Sequence, residues 1–248
     1  MKVDLNSDMG EGFGPWTMGD DAGLLDVITS ANIACGFHAG DPVVIKKTLL
    51  AAKRNNVQVG AHPSYPDISG FGRRSMKIPA VELIALLQYQ IAALTGMASN
   101  LGIEVQYVKP HGALYNDMMA DGHIRSAVME AISECHQPLA FMLQATPNAE
   151  IHREEAKAFG LEVLFEAFAD RCYDDNGALL SRVKEGAVHS KEKMLEQVIQ
   201  LKQHGTVTTV NGHQLELHAD SLCVHGDNIA GVNAIEEIRQ LIQPSSHS

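Results

Sequence analysis

The stretch Ile28-Thr29-Ser30-Ala31-Asn32-Ile33-Ala34-Cys35-Gly36-Phe37-His38-Ala39-Gly40-Asp41-Pro42-Val43-Val44-Ile45 holds, in one unit, the pattern that organises the whole chain. Residues 28–34 form a short apolar and β-branched run, long enough for a strand and too short for an independent helix. A polar cluster, residues 35–41, follows, with Gly36 and Gly40 permitting tight turns. Asp41 and Pro42 then supply a helix N-cap and a first-turn proline ahead of a helical run over 43–53, which the Asn55-Asn56 pair ends.

Outward from this unit the pattern recurs. Strand-like runs stand at 3–5, 57–61, 105–108, 139–143, 163–167 and 222–224, which with 28–34 makes seven. Helical runs lie between them. Pro79 opens one that Gly102 closes, Asp121 precedes 124–133, and Pro147-Asn148 precedes 149–159, where Gly160 is the terminator. Ser190 precedes 191–203 with Gly205 after it, and a last helix covers 234–242. Strands alternating with helices through right-handed crossovers predict a parallel sheet clothed in helices, and closure into an irregular seven-stranded (β/α) barrel is the economical outcome. One segment breaks the alternation. Residues 206–210 and 213–217 flank Asn211-Gly212, the signal for a two-residue turn, so a β-hairpin is expected before the last strand.

Size and composition fit that architecture. A chain of 248 residues with 45% hydrophobic side chains is read as one α/β domain over 1–243, followed by an unpacked tail at 244–248. The net charge of -11, with no basic cluster longer than Arg73-Arg74, argues against nucleic acid. Cys35, Cys135, Cys172 and Cys223 are widely spaced, without a C-x-x-C pair, and the first residues lack a basic then apolar leader, so a cytoplasmic setting is expected. Residues 79–98, the most apolar stretch, are interrupted by Glu82, Gln88, Gln90 and Thr95 and read as a buried helix rather than a membrane span.

In parallel α/β folds the ligand site lies beyond the carboxyl ends of the strands. Polar clusters fall there after every run but the fifth. They carry Asn6, Asp8 and Glu11; His38 and Asp41; His62; Lys109 and His111; Asp170 and Arg171; and His225 and Asp227. Taken alone, each has a bland role, an Asp as a cap and a His as a structural ring. Four of the twelve histidines follow strand ends directly beside carboxylates, which capping does not require, and a shared site follows. Phosphate-loop, nucleophile-elbow and H-E-x-x-H zinc patterns are absent, and Gly10-x-Gly12-x-Gly14 runs into Pro15 and Trp16 where a dinucleotide-binding helix would have begun. Asp8 with His38 and His62 is chemically suited to zinc or manganese, although the sequence leaves the metal open.

In this order the clusters resemble the LamB/YcsF family, known as the A component of bacterial 5-oxoprolinase. The carrying segments are Asp4-Leu5-Asn6-Ser7-Asp8-Met9-Gly10-Glu11, Ala31 through Asp41, Gly60-Ala61-His62-Pro63-Ser64, Phe71-Gly72-Arg73, Val108-Lys109-Pro110-His111-Gly112-Ala113-Leu114-Tyr115-Asn116, Phe168-Ala169-Asp170-Arg171 and Val224-His225-Gly226-Asp227. They span nearly the whole chain; Asn228-Ile229 departs from the Thr-Pro that members often carry. The resemblance implies a barrel of the glycoside hydrolase/deacetylase type and ATP-dependent opening of 5-oxoproline with two partner subunits, the B and C components. ATP would be a co-substrate, bound either mainly on a partner or on this chain by a mode other than the phosphate loop. Asp8, Glu11, Asp41 and Asp227 would serve as base or metal carboxylates, and His38, His62, His111 and His225 would move protons. Asn6, Arg73, Lys109, Asp170 and Arg171 would hold substrate or phosphate. The competing readings are a metal-dependent deacetylase or amidohydrolase and a noncatalytic lactam-binding subunit.

Overall fold

The computed structural model describes residues 3–18, 21–182, 184–226 and 229–242. Seven parallel strands close on themselves: β1 (Asp4–Met9), β2 (Ser30–Ala34), β3 (Gln58–His62), β4 (Val105–Val108), β5 (Ala140–Gln144), β6 (Val163–Phe168) and β9 (Ser221–Cys223). Closure is made by β9, which pairs with β6 on one side and β1 on the other. The expected hairpin is present as β7 (Thr206–Thr208) against β8 (Gln214–Glu216), outside the barrel.

The helix signals act as their chemistry demands. The Asp41 carboxylate accepts from Val43 N and Val44 N and starts α2 (Pro42–Arg54). Asp121 likewise accepts from His123 N at the start of α5 (Gly122–Ser133), and Ser190 accepts from Lys193 N before α7 (Lys191–His204), which Gly205 ends in the left-handed conformation. The long apolar helix is α3 (Ala80–Ser99). By length and composition it could cross a bilayer, yet it lays Leu83, Leu87, Ile91 and Leu94 against the barrel and α5. Only that stripe is buried; Val81 and Tyr89 on the other side are exposed, so the expectation of a buried helix holds for one face. α6 (Ala149–Ala158) and α8 (Ile229–Ile242) complete the expected set. Two helices were not foreseen, α1 (Asp21–Leu25) and α4 (Gly112–Ala120).

Side-chain alternation along the strands sorts the chain into two environments. Leu5, Met9, Ile33, Val59, Ala61, Val108, Phe141 and Leu143 join the apolar layer beneath the helices. The alternate positions, Asp4, Asn6 and Asp8 on β1, Asn32 on β2, Tyr107 on β4, Glu166 on β6 and Ser221 on β9, are bonded to one another across the barrel. Contacts between strands that are not neighbours are possible only in the interior, which is therefore polar. Gly60 makes this packing possible, since a Cβ there would lie 2.2 Å from the Tyr107 ring, whose hydroxyl donates to Asn32 Oδ1 at 2.7 Å. All four cysteines are free.

Candidate functional site

The carboxyl ends of the strands surround a cavity of about 570 Å³. Asp8 and Glu11 enter from β1 and its loop, His62 from β3, Lys109 and His111 from the segment after β4, and His225 from beyond β9. A long excursion between β6 and α7, pinned by bridges Arg171 to Val188 and Tyr173 to Leu179, brings Arg171 and Arg182 to the same wall. Arg73 faces them from the loop after a 3-10 turn (Ile68–Gly70), its guanidinium 4.9 Å from the centre of the Phe71 ring.

Asp8 is the hub. Its Oδ1 accepts from Lys109 Nζ at 3.0 Å and Asn32 Nδ2 at 2.8 Å, and its Oδ2 lies 3.3 Å from His62 Nε2 and 4.0 Å from His225 Nε2. Burial alone would raise the Asp8 pKa; His62 and Lys109 more than reverse this and hold it well below the carboxylate range. Lys109 is itself buried and bridges Asp8 to Glu166, with Nζ 3.0 Å from each carboxylate. Burial opposes its charge, but these two acids keep its pKa well above the usual value. The cation therefore belongs to the architecture of the site as much as to any ligand.

A second group consists of imidazoles. His62 Nδ1 is 2.6 Å from the Lys109 carbonyl and His111 Nε2 is 2.9 Å from the Phe71 carbonyl. The remaining nitrogens, His62 Nε2 and His111 Nδ1, are 3.0 Å apart. His38 lies behind, its ring stacked on His111 with centroids 3.7 Å apart, and its Nε2 is 3.3 Å from Glu11 Oε1. Burial, reinforced by the neighbouring rings, pushes the pKa of both His38 and His111 well down, so both are neutral near pH 7. Glu11, His38, His62 and His111 each offer a donor atom within 4.8 Å of the others' and form the set suited to a metal ion. Two of these, His38 and His62, were expected as ligands. The third expected ligand, Asp8, is not part of this set: its Oδ1 accepts from Lys109 while its Oδ2 lies 3.3 Å from His62 Nε2, and Glu11 and His111 stand in the set beside the two histidines.

Glycines set the spacing of these rings. A Cβ on Gly72 would stand 2.8 Å from both His111 Cδ2 and His38 Cβ, and one on Gly112 would be 2.5 Å from the Gly72 carbonyl; both residues have positive φ. Phe71 also adopts φ 54°, a strained choice for a non-glycine residue, and this aims its carbonyl at His111. Gly72→Ala is accordingly expected to cost about 1–3 kcal/mol and to shift the rings enough to lower turnover about 10²-fold, measurable as paired changes in Tm and kcat.

Besides His38, three expected residues sit away from the cavity surface. Asn6 is one layer deeper, bonded to Glu166, Ser221, Asn32 and Lys109. Its place two residues before Asp8 on an inward-facing strand makes it barrel floor rather than a ligand contact. Asp170 is fully buried, and both its oxygens are 3.0 Å from His225 Nδ1, so it orients that imidazole. Asp41 spends its oxygens on backbone N–H groups of Gly14, Val43 and Val44, holding the Gly12–Gly14 loop to α2. Those bonds are why its carboxyl sits below the usual range. Asp227 and the tail at 244–248 lie outside the described residues. Sequence reasoning missed Glu166, Arg182 and the two orienting carbonyls. Glu166 had a signal, a carboxylate within an otherwise apolar strand, which demands a buried cation.

With this geometry in place, the chain can be set beside known proteins. Residues 3–248 match the LamB/YcsF family. The chain belongs to the LamB/YcsF family. Among its relatives, a 5-oxoprolinase A component of Pseudomonas syringae pv. tomato is 48% identical over 99% of this chain and 95% of that protein. The 5-oxoprolinase A component of Pyrococcus abyssi is 47% identical over 98% and 94%. The crystal structure of a lactam utilization protein from Thermus thermophilus superposes with a TM-score of 0.88 at 36% identity, covering 97% of this chain and 96% of that one. The fold of that structure is thus shared over 97% of this chain.

Proposed function

We propose that this LamB/YcsF protein is the A component of a multi-subunit 5-oxoprolinase and takes part in ATP-dependent hydrolysis of 5-oxo-L-proline to L-glutamate. The names of its relatives supply the substrate class. The observation that carries the reading is the union, in one cavity, of an ionised carboxylate and oriented imidazoles with Arg73, Lys109 and Arg171.

The reaction needs both halves. Amide resonance, reflected in a rotation barrier of about 18–20 kcal/mol, makes the lactam carbonyl a weak electrophile. Transfer of a phosphoryl group from ATP to its oxygen makes the carbon attackable. Water then adds at that carbon while a base takes its proton, the ring C–N bond breaks with the nitrogen gaining a proton to leave an acyl phosphate, and a second water hydrolyses that acyl phosphate to the side-chain carboxylate of glutamate and inorganic phosphate. The base role is assigned to His225, supported by Asp170, which lies 3.0 Å from Nδ1 and so holds a hydrogen there, leaving Nε2 for the proton, 4.0 Å from Asp8. The arginines suit the substrate carboxylate and the phosphate oxygens, which they can engage through paired N–H donors. Lys109, tied to Asp8 and Glu166, supports the site from beneath.

The test is glutamate formation from 5-oxoproline by the full chain, alone and with its partner subunits, with and without ATP. Product is expected only when ATP and the partners are both present. Release of acetate from N-acetylated sugars by the chain alone, with no glutamate under any condition, would replace this reading with an amide or ester deacetylase.

A further inference from the structure

We propose that Glu11, His38, His62 and His111 form a binding site for one first-row divalent transition ion of the zinc type, in which His62 Nε2 and His111 Nδ1 are neighbouring ligands. The site stands on its own geometry and is independent of the 5-oxoproline reading.

The hydrogens on the two rings are fixed by their partners. A backbone carbonyl can only accept, so the 2.6 Å contact from His62 Nδ1 to Lys109 O and the 2.9 Å contact from His111 Nε2 to Phe71 O each require a hydrogen on that nitrogen. In neutral rings the two other nitrogens then carry lone pairs, and they face each other at 3.0 Å. Two acceptors at that distance repel. A cation between them, either a shared proton or a metal ion, removes the conflict.

The surroundings favour the metal. A shared proton serves the two nitrogens and Asp8 Oδ2, 3.3 Å from His62 Nε2, whereas four donor atoms lie within 4.8 Å of one another: Glu11 Oε1 is 3.5 Å from His111 Nδ1 and 3.3 Å from His38 Nε2, and the His38 ring, stacked on His111, must turn for its lone pair to meet the same ion. Tetrahedral zinc with ligand bonds of about 2.0–2.1 Å requires donors about 3.3 Å apart, close to these separations. The carbonyls behind His62 and His111 are the partners that metal-bound imidazoles ordinarily have on their second nitrogen. Three imidazoles with one carboxylate suit zinc, cobalt or manganese better than magnesium or calcium, which prefer all-oxygen sets. Glu11, His62 and His111 also line the cavity, so the ion would face it and could polarise a carbonyl there.

The experiment is to strip the full chain with chelator, dialyse it, and titrate Co²⁺ while recording visible absorption, with metal content and Tm measured in parallel. One Co²⁺ per chain, the intense visible band of a four-coordinate ion, its displacement by Zn²⁺ and a rise in Tm are expected. His111→Ala should weaken affinity by at least about 10–100-fold, the loss seen even for outer partners of a metal site. Because His111 is buried and its variant could misfold, Glu11→Gln at the cavity surface is a second test; it should weaken Co²⁺ binding while the far-ultraviolet circular dichroism is unchanged. Absence of Co²⁺ and Zn²⁺ uptake, with Tm indifferent to both, would overturn the proposal and leave a shared proton between His62 and His111. Uptake that survives both substitutions would overturn it equally. None of these readouts uses 5-oxoproline, ATP or partner subunits, so failure here and failure of the oxoprolinase reading are separable.

Discussion

Asp8→Asn is expected to lower turnover of reconstituted 5-oxoproline opening by about 10²–10⁴-fold, the range spanned by groups that take part in proton transfer. The substitution keeps the shape of the side chain, and its amide oxygen can still accept from Lys109 Nζ and Asn32 Nδ2. What disappears is the negative charge facing His62 Nε2 and His225 Nε2. The charge is not incidental, because the site works against burial to keep Asp8 ionised. The contrasting variant is Asp41→Asn. Asp41 also follows a strand end, but its Oδ1 caps α2, a duty that Asn performs nearly as well, and the substitution gives up only the bond that Oδ2 accepts from Gly14 N. Its turnover is expected to stay within about twofold of the parent, since no catalytic contact depends on it. Steady-state kcat and KM for both, with circular dichroism to confirm folding, decide the matter; Asp8→Asn turning over within a factor of about two would remove Asp8 from the chemistry.

The contrast between these two acids marks where sequence reading stops. Residue type and position after a strand select both. The direction of a side chain depends on which backbone amides lie within reach, and for Asp41 those are the start of its own helix and a loop 27 residues earlier. Strand runs, hairpin turn and capped helices were legible because each is written in local chemistry, such as Asn211-Gly212 or Asp41-Pro42. α4 was not, since it begins at Gly112 with positive φ and its N-cap residue, His111, makes no capping bond. Closure, expected from strand count and crossovers as the economical outcome, is made by the pairing of β9 with both β1 and β6, which in the first case joins segments more than 200 residues apart. For the site, the strand-end rule found the histidines but could not rank depth. Asn6 and Asp8 differ by one inward-facing step, and that step separates barrel floor from cavity wall.

Lys109→Met is expected to destabilise the protein by about 3–5 kcal/mol, the usual consequence of removing one partner from a buried ion pair. For a chain of this size that corresponds to a fall in Tm of roughly 6–20 °C. The reason lies in what would remain. Asp8 and Glu166 each lie 3.0 Å from Lys109 Nζ, with Glu166 fully buried, and a methionine leaves both carboxylates facing an uncharged thioether. Glu166 would then have to take up a proton or draw in water, and Asp8 would lose one of the two partners that keep it ionised. Lys109→Met/Glu166→Gln should recover part of the stability, because the amide removes one of the two uncompensated charges. Turnover should stay low in both variants, since Asp8 has lost its anchor in each. The double-mutant cycle in denaturant measures the coupling directly. If Lys109→Met costs less than about 1 kcal/mol, or the second change brings no recovery, the lysine is not the charge that holds this interior together.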